Sequence, residues 1–343
     1  MSEGVFNVVA LGAQSSLATA VAASTIFPVD AGFPGFALDR ASQSPDEDYG
    51  STSREHAGRG STGVRSATAS MPFVARFEDL QQVLASHVAT ISTPTGTASP
   101  YTWTFTFDES SSSLATALTV RTIEYGVDGT TQDEWRAVGA IIDQLDLGFD
   151  NLTAPGNSMW KGTMTWLAVD RENNALTGTA TAPSTLETIE GHLTTLAEGP
   201  VGTAFASLAT ATATLRQFRF TSANSAALRP YGGSSDTASD IGRSQKGNVT
   251  FTALIAINAT TKTDIADIYD VSGSVPTERR WRIKATGSGT KSLIVDARVR
   301  FTTVDIGEDN GERLYQVNGV WVYDSTLAGR GQLALSNGVA TLA

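Results

Sequence analysis

Residues 101–108 read YTWTFTFD. Tyr101, Trp103, Phe105 and Phe107 fall on one face, with Thr102, Thr104 and Thr106 on the other. A period of two is that of a half-buried β-strand, whereas a helix would scatter the four aromatics around its circumference. The same alternation recurs outward from this stretch. GNVTFTALIAIN (247–258) places Val249, Phe251, Ile255 and Ile257 together, and SLIVDARVRFTTVD (292–305) sets Val295, Val299 and Phe301 against Asp296, Arg298 and Arg300. ALTVRTIEYG (117–126), RAVGAIIDQLDLGF (136–149), MWKGTMTWLAV (159–169), RQFRFTSA (216–223), RRWRIKA (279–285) and RLYQVNGVWVYD (313–324) are further strands rich in β-branched and aromatic residues. Only short helices interrupt them. FEDLQQVLASH (77–87) brings Phe77, Leu80, Val83, Leu84 and His87 to one side, and TKTDIADIYD (261–270) does the same for Ile265, Ile268 and Tyr269. Helices of this length need a sheet to pack against.

These elements come in two sets. Tyr49-Gly50 and Tyr231-Gly232, Phe36 and Phe218 are each 182 residues apart, Arg59 and Arg243 are 184 apart, and Val64 and Val249 are 185 apart. The last offset also brings Asp79, Leu80, Val83 and Leu84 onto Asp264, Ile265, Ile268 and Tyr269. Both sets close alike, with LGFDN at 147–151 and IGEDN at 306–310, each followed by a tryptophan-bearing strand. The expected organisation is an arm over 1–35, a first unit over 36–170, a linker or arm over 171–213 and a second unit over 214–343. Each unit is read as a β-sandwich or β-barrel with one flanking helix, making the protein mainly β with short helices. Within 171–213, LETIEGHLTTLAEG (186–199) is expected to form a brief helix.

Composition narrows the chemistry. A net charge of −11 opposes a phosphate-binding surface. The absence of cysteine removes disulfides, thiolate metal sites and thiol catalysis. The opening MSEGVFNVVALGAQSSLATAVAAS has Glu3 where a leader would be basic, and Gln14, Ser15 and Ser16 break its apolar run, so neither a signal peptide nor a membrane span is expected. Without an export signal, the sequons at Asn151, Asn248 and Asn258 carry little weight.

The three histidines, His56, His87 and His192, form no ligand spacing and read as solvated or structural. GRGSTG (58–63) has the form of a dinucleotide fingerprint but opens a strand, and GSGTKS (287–292) reads as a hairpin turn. Carboxylate clusters such as DEDYG and IGEDNGE read as solvated turns. No catalytic, cofactor or metal site is expected. The long polar stretches 39–63 and 222–247 carry charges of both signs and a tyrosine each, which suits protein–protein contact. Their candidate contact residues are Asp48, Tyr49, Arg54 and Arg59 in the first, and Tyr231, Asp240, Arg243 and Lys246 in the second.

The order GAQSSLATAVAASTIFPVDAGFPGFALDR (12–40), VRSATASMPFVARFEDLQQVL (64–84), the exit WLAVD (166–170) and the close GRGQLALSN (329–337) resembles the tail tube proteins, or major tail proteins, of long flexible-tailed bacteriophages. The resemblance implies units that assemble by sixes into a ring whose inner sheets form a β-barrel around a channel. Rings stack through long loops and arms, and viral DNA passes through without specific binding. Two units per chain imply a homotrimeric, pseudo-hexameric ring, with a homohexamer as the other arrangement. Tape-measure, tail-terminator and distal tail proteins are the implied partners. The implied location is the virion tail, assembled in the host cytoplasm without membrane insertion. An acidic wall would repel DNA phosphates over a Debye length of about 8 Å. The alternative is a carbohydrate-binding or adhesin-like pair of β-sandwiches.

Overall fold

The computed structural model describes residues 8–29, 33–43, 61–96, 99–108, 113–127, 134–151, 158–183, 185–211, 215–229, 238–244, 247–257, 278–309 and 311–342. The chain begins with strands β1 (Val8–Ala13), β2 (Thr25–Ile26), β3 (Ala37–Gln43) and β4 (Ser61–Val74), then helix α1 (Leu80–Ala85). There follow β5 (Thr90–Ile91), β6 (Tyr101–Thr106), a single turn α2 (Leu114–Ala117), β7 (Arg121–Gly126), β8 (Trp135–Asp150), β9 (Lys161–Ala168) and β10 (Asp170–Asn173). The rest comprises β11 (Thr194–Pro200), β12 (Ala209–Ala211), β13 (Leu215–Ala223), β14 (Ala226–Arg229), β15 (Asp240–Arg243), β16 (Asn248–Ala256), β17 (Arg279–Thr286), β18 (Ser292–Asp309), β19 (Glu312–Val322) and β20 (Gly331–Asn337). The protein is mainly β, its strands pairing antiparallel in one large sheet system.

One run of ladders passes through β3, β4, β9, β8, β13, β16, β19 and β18 in that order. β17 and β20 flank the first part of β18, β11 extends from β17, and β6 extends from β20. The first part of β8 pairs instead with β7 and β10, and β1 lies against β7. The two longest strands, β8 and β18, thus change partners part-way along. Each carries a register shift against its neighbour, at Asp143 between Ile142 and Gln144, and at Thr302 between Phe301 and Thr303. Such bulges bend a strand and raise its twist, which lets one strand serve two layers.

The period-two patterns fill the interior as expected. Trp103, Phe105 and Phe107 are buried, and so are Val249, Phe251, Ala253 and Ile255, and Val295, Val299 and Phe301. One hydrophobic cluster takes Trp160, Trp166 and Phe73 from the first half of the chain and Phe218, Trp281 and Trp321 from the second. Helix α1 forms where the i, i+3, i+4 pattern places it, but every one of its six residues is buried, Gln81 and Gln82 included. GSGTKS is the turn between β17 and β18, closed by Gly287 N–H donating to Lys291 O at 2.9 Å.

Four expectations need correction or qualification. The stretch 186–199 is not helical. A 3₁₀ turn at Gly191–Leu193 leads into β11, which pairs with β17 from Thr194↔Ala285 to Pro200↔Arg279. Two adjacent threonines and flanking glycines favour extended chain, and the edge of β17 supplies its partner. The polar stretch 222–247 contains the ribbon β14–β15, because Ala226, Leu228 and Ile241 pack on a second apolar cluster with Leu114, Ile141 and Val169. The offset of 185 between β4 and β16 also fails. Ala67, Ala69, Met71 and Phe73 are buried in one and Val249, Phe251, Ala253 and Ile255 in the other. An odd offset would set core positions against surface positions. Finally, residues 8–13 of the expected arm pair with β7 of the same chain, Val8↔Gly126 through Ala13↔Arg121. The second expected helix, 261–270, lies outside the described residues.

Candidate assembly surfaces

Of the eight expected contact residues, Asp48, Tyr49, Arg54, Arg59, Tyr231 and Lys246 lie outside the described residues, as does His56. Asp240 and Arg243 sit at the two ends of β15, and both are engaged within the chain. The Asp240 carboxylate accepts from Ser113 Oγ at 2.7 Å and lies 3.6 Å from the Arg229 guanidinium. Arg243 donates to Asp108 O at 3.3 Å and to Asn224 Oδ1 at 3.1 Å.

Arg243 borders a polar knot where the halves of the chain meet. His87, just beyond α1, donates from Nδ1 to Ile142 O at 3.1 Å and accepts at Nε2 from Ser222 Oγ at 2.9 Å. Asn224 Nδ2 donates to His87 O at 2.8 Å and to Ile142 O at 3.1 Å, and Asp143 accepts from Ala226 N–H at 2.6 Å. Burial, more than the nearby Arg243 charge, pushes His87 down to about 4, so its imidazole is neutral. Burial likewise raises Asp143 above the usual carboxylate range. The adjoining crevice is about 20 Å³, too small for a cofactor. With both ring nitrogens committed to the fold, His87 is a structural histidine, as its sequence context suggested.

A cleft of about 310 Å³ lies beside α1, lined by Phe27, Asp79, Gln81, Gln82, Thr181 and Lys291 among others. Burial pushes Asp79 up to about 7 against the opposing pull of Arg76, 3.4 Å away. Lys291 reaches both Glu78 and Glu187 across the mouth. The described lining of the cleft includes no serine, cysteine or histidine, and among the described residues no group of histidines and carboxylates is placed to hold a metal ion. No described helix is long and apolar enough to cross a membrane.

The open sheet margins are more informative. β3 pairs with β4 on one side, and beyond Val299 the strand β18 pairs only with β19 among the described residues. Both margins expose large apolar side chains: Leu38 is 40% accessible and Ile306 71%. Ile306 was not singled out from the sequence. The available signal was an isoleucine inside the acidic run VDIGED, where an ordinary solvated turn has no use for one. Comparison of the chain with protein-family models and with curated proteins gives no match.

Proposed function

We propose that this chain is a structural, non-enzymatic protein of the tail-tube kind: two equivalent units fused in tandem, three chains closing a pseudo-sixfold ring, and rings stacking into a hollow tube that conducts DNA. The carrying observation is the ladder pattern. The order β3–β4–β9–β8 has its counterpart in β13–β16–β19–β18, and the pair β7–β8 in β17–β18. The bulged residues Asp143 and Thr302 occupy the same place in the two sets, and LDLGFDN (145–151) and VDIGEDN (304–310) follow them in step. A row across the first set runs Ala37, Thr68, Leu167, Ile141, and its counterpart across the second runs Thr221, Thr250, Val320, Arg300, which aligns Phe36 with Phe220 in place of the Phe218 expected from the offset of 182.

The seam between the sets supports assembly. β8 of the first set pairs with β13, the leading strand of the second, from Gln144↔Ala223 to Asp150↔Gln217. One unit is thus followed by the next through side-by-side strands, the arrangement a cylinder wall needs. The alternative carbohydrate-binding reading calls for clustered exposed tryptophans; Trp103, Trp160, Trp166, Trp281 and Trp321 are buried, and Trp135 is half-buried beneath the Arg171 guanidinium. Electron microscopy of the purified protein, with symmetry averaging, tests the proposal. Rings with a central hole and pseudo-sixfold symmetry are expected, stacking into tubes at high concentration. A solid monomeric particle at all concentrations would overturn it.

A further inference from the structure

We propose that the open margin of β3 in one chain pairs antiparallel with the Thr303–Ile306 margin of β18 in a second copy, in the register that β13 and β8 adopt within a single chain. The inference rests on the equivalence of the two units proposed above.

Three observations carry it. First, the correspondence of rows fixes which residues would meet. Within the chain Thr221 faces Asp146, Ser222 faces Leu145 and Ala223 faces Gln144. The equivalents of β13 are Ala37, Leu38 and Asp39, and those of β8 are Asp305, Val304 and Thr303. The intermolecular ladder is therefore Ala37↔Asp305, Leu38↔Val304 and Asp39↔Thr303, with Ile306 level with Phe36.

Second, burial differs where, among the described residues, β18 has no strand on that side. Leu145 and Leu147, under the β8–β13 seam, are each 0% accessible, whereas Ile306, the counterpart of Leu147, is 71% accessible. Val304, the counterpart of Leu145, is only half-buried. Leu38, exposed on β3, falls opposite Val304. The apolar side chains at the two margins thus lie on the face that the seam covers, and they match each other.

Third, a glycine stands at a position that the isolated chain does not require. Gly148 permits the close approach of β13: a Cβ there would lie 2.2 Å from Phe218 O and 2.6 Å from Arg219 Cα. Gly307 is its counterpart. It has no left-handed backbone, and a Cβ there meets nothing within 4 Å. In a second copy the residues level with it are Pro34 and Gly35, just ahead of β3, with Gly35 left-handed at φ 85°, so the segment passing over Gly307 would be the turn that leads into β3. Because the two margins are different surfaces, the contact is head-to-tail, and repeated use gives a ring where the rotation closes and an open chain where it does not.

The native chain lacks cysteine, so introduced thiols report the contact without background. The double variant D39C/T303C, lightly oxidised, is expected to give disulfide-linked multimers that collapse to monomer on reduction. D39C alone and T303C alone are expected to remain monomeric on the same gel, since neither position meets its own copy. Gly307→Val is expected to leave circular dichroism unchanged, and the thermal midpoint unchanged at concentrations where the wild type is dissociated, while abolishing multimers. Multimers confined to the double variant and lost with Gly307→Val support the pairing, even where microscopy shows open chains of subunits and the ring reading falls. Wild-type rings without cross-linking in D39C/T303C, or unhindered by Gly307→Val, overturn this register and leave the ring reading standing. A wild-type monomer that never cross-links overturns both.

Discussion

Asp79 and His87 flank α1, and burial drives them in opposite directions, the carboxyl up to about 7 and the imidazole down to about 4. Their effects on stability oppose each other. The unfolded chain takes up a proton at His87 near pH 6.5 that the folded chain refuses until about pH 4. Its contribution is therefore complete above 6.5 and is lost as pH falls through that window, by about 1.4 kcal/mol per unit at the steepest. Asp79 has a folded value above its unfolded 3.8, so its contribution is complete below 3.8 and is lost as pH rises toward 7. Between pH 4 and 6.5 the two slopes offset each other. Asp79→Asn should uncover a stability that rises with pH across this window, and His87→Gln one that falls. Urea midpoints of the two variants and the wild type, measured from pH 4 to 7, check both signs. Profiles parallel to wild type in both variants would refute the assignments. Carboxylates held low by ion pairs, such as Glu312 beside Arg216 and Glu278 beside Arg298 and Arg300, add a slope common to all three proteins, which cancels in the differences.

At the scale of elements, α1 illustrates what sequence pattern reaches. Its apolar stripe was legible because Phe77, Leu80, Val83, Leu84 and His87 follow helical spacing. Its opposite face was not. Gln82 Oε1 and Ser86 Oγ accept from the buried Arg121 of β7, and Asn337 of β20 donates to Phe77 O at 2.6 Å and also bonds Gln81. These partners come from distant strands, so a polar residue here looks solvent-facing until the ladders are known. Burial lowers the Arg121 guanidinium to about 10, still far above neutrality, so it remains charged. Arg121→Ala should destabilise the protein by about 3 kcal/mol or more, through the acceptors left without their donor and the cavity left behind. A drop in the urea midpoint with the m-value unchanged is the expected readout. A change under 1 kcal/mol would mean that α1 is held by its apolar stripe alone. The same limit explains the site. LGFDN and IGEDN were visible as matching closes, but only the ladders distinguish Leu147, covered by β13, from Ile306, left at a margin.

Across the whole molecule strand ladders and side-chain bonds tie the halves of the chain together. β8 pairs with β13 over seven residue pairs, and β6 pairs with β20 from Tyr101↔Asn337 to Thr106↔Gln332. The hydrophobic cluster is continuous across the same boundary, with Trp160 tilted against Phe218 at 6.2 Å and Phe107 edge-on to Trp321 at 5.4 Å. The stretch 171–213 contributes β11 and β12 to the sheet on β17. Removing either half would expose the β8 or β13 margin together with the aromatic residues beneath it, and it would strip β6 or β20 of its partner. Segments that share a core this way are coupled, because opening one uncovers apolar area on the other. The chain should therefore unfold in one cooperative transition, despite its length. Near-ultraviolet dichroism, which follows the buried tryptophans, and far-ultraviolet dichroism, which follows the strands, should give coincident urea curves. The separate fragments 1–213 and 214–343 should fail to give a sharp transition. Two resolved steps in the full chain, or a cooperatively folding fragment, would place the stability within each unit and make the seam between them a contact rather than a shared core.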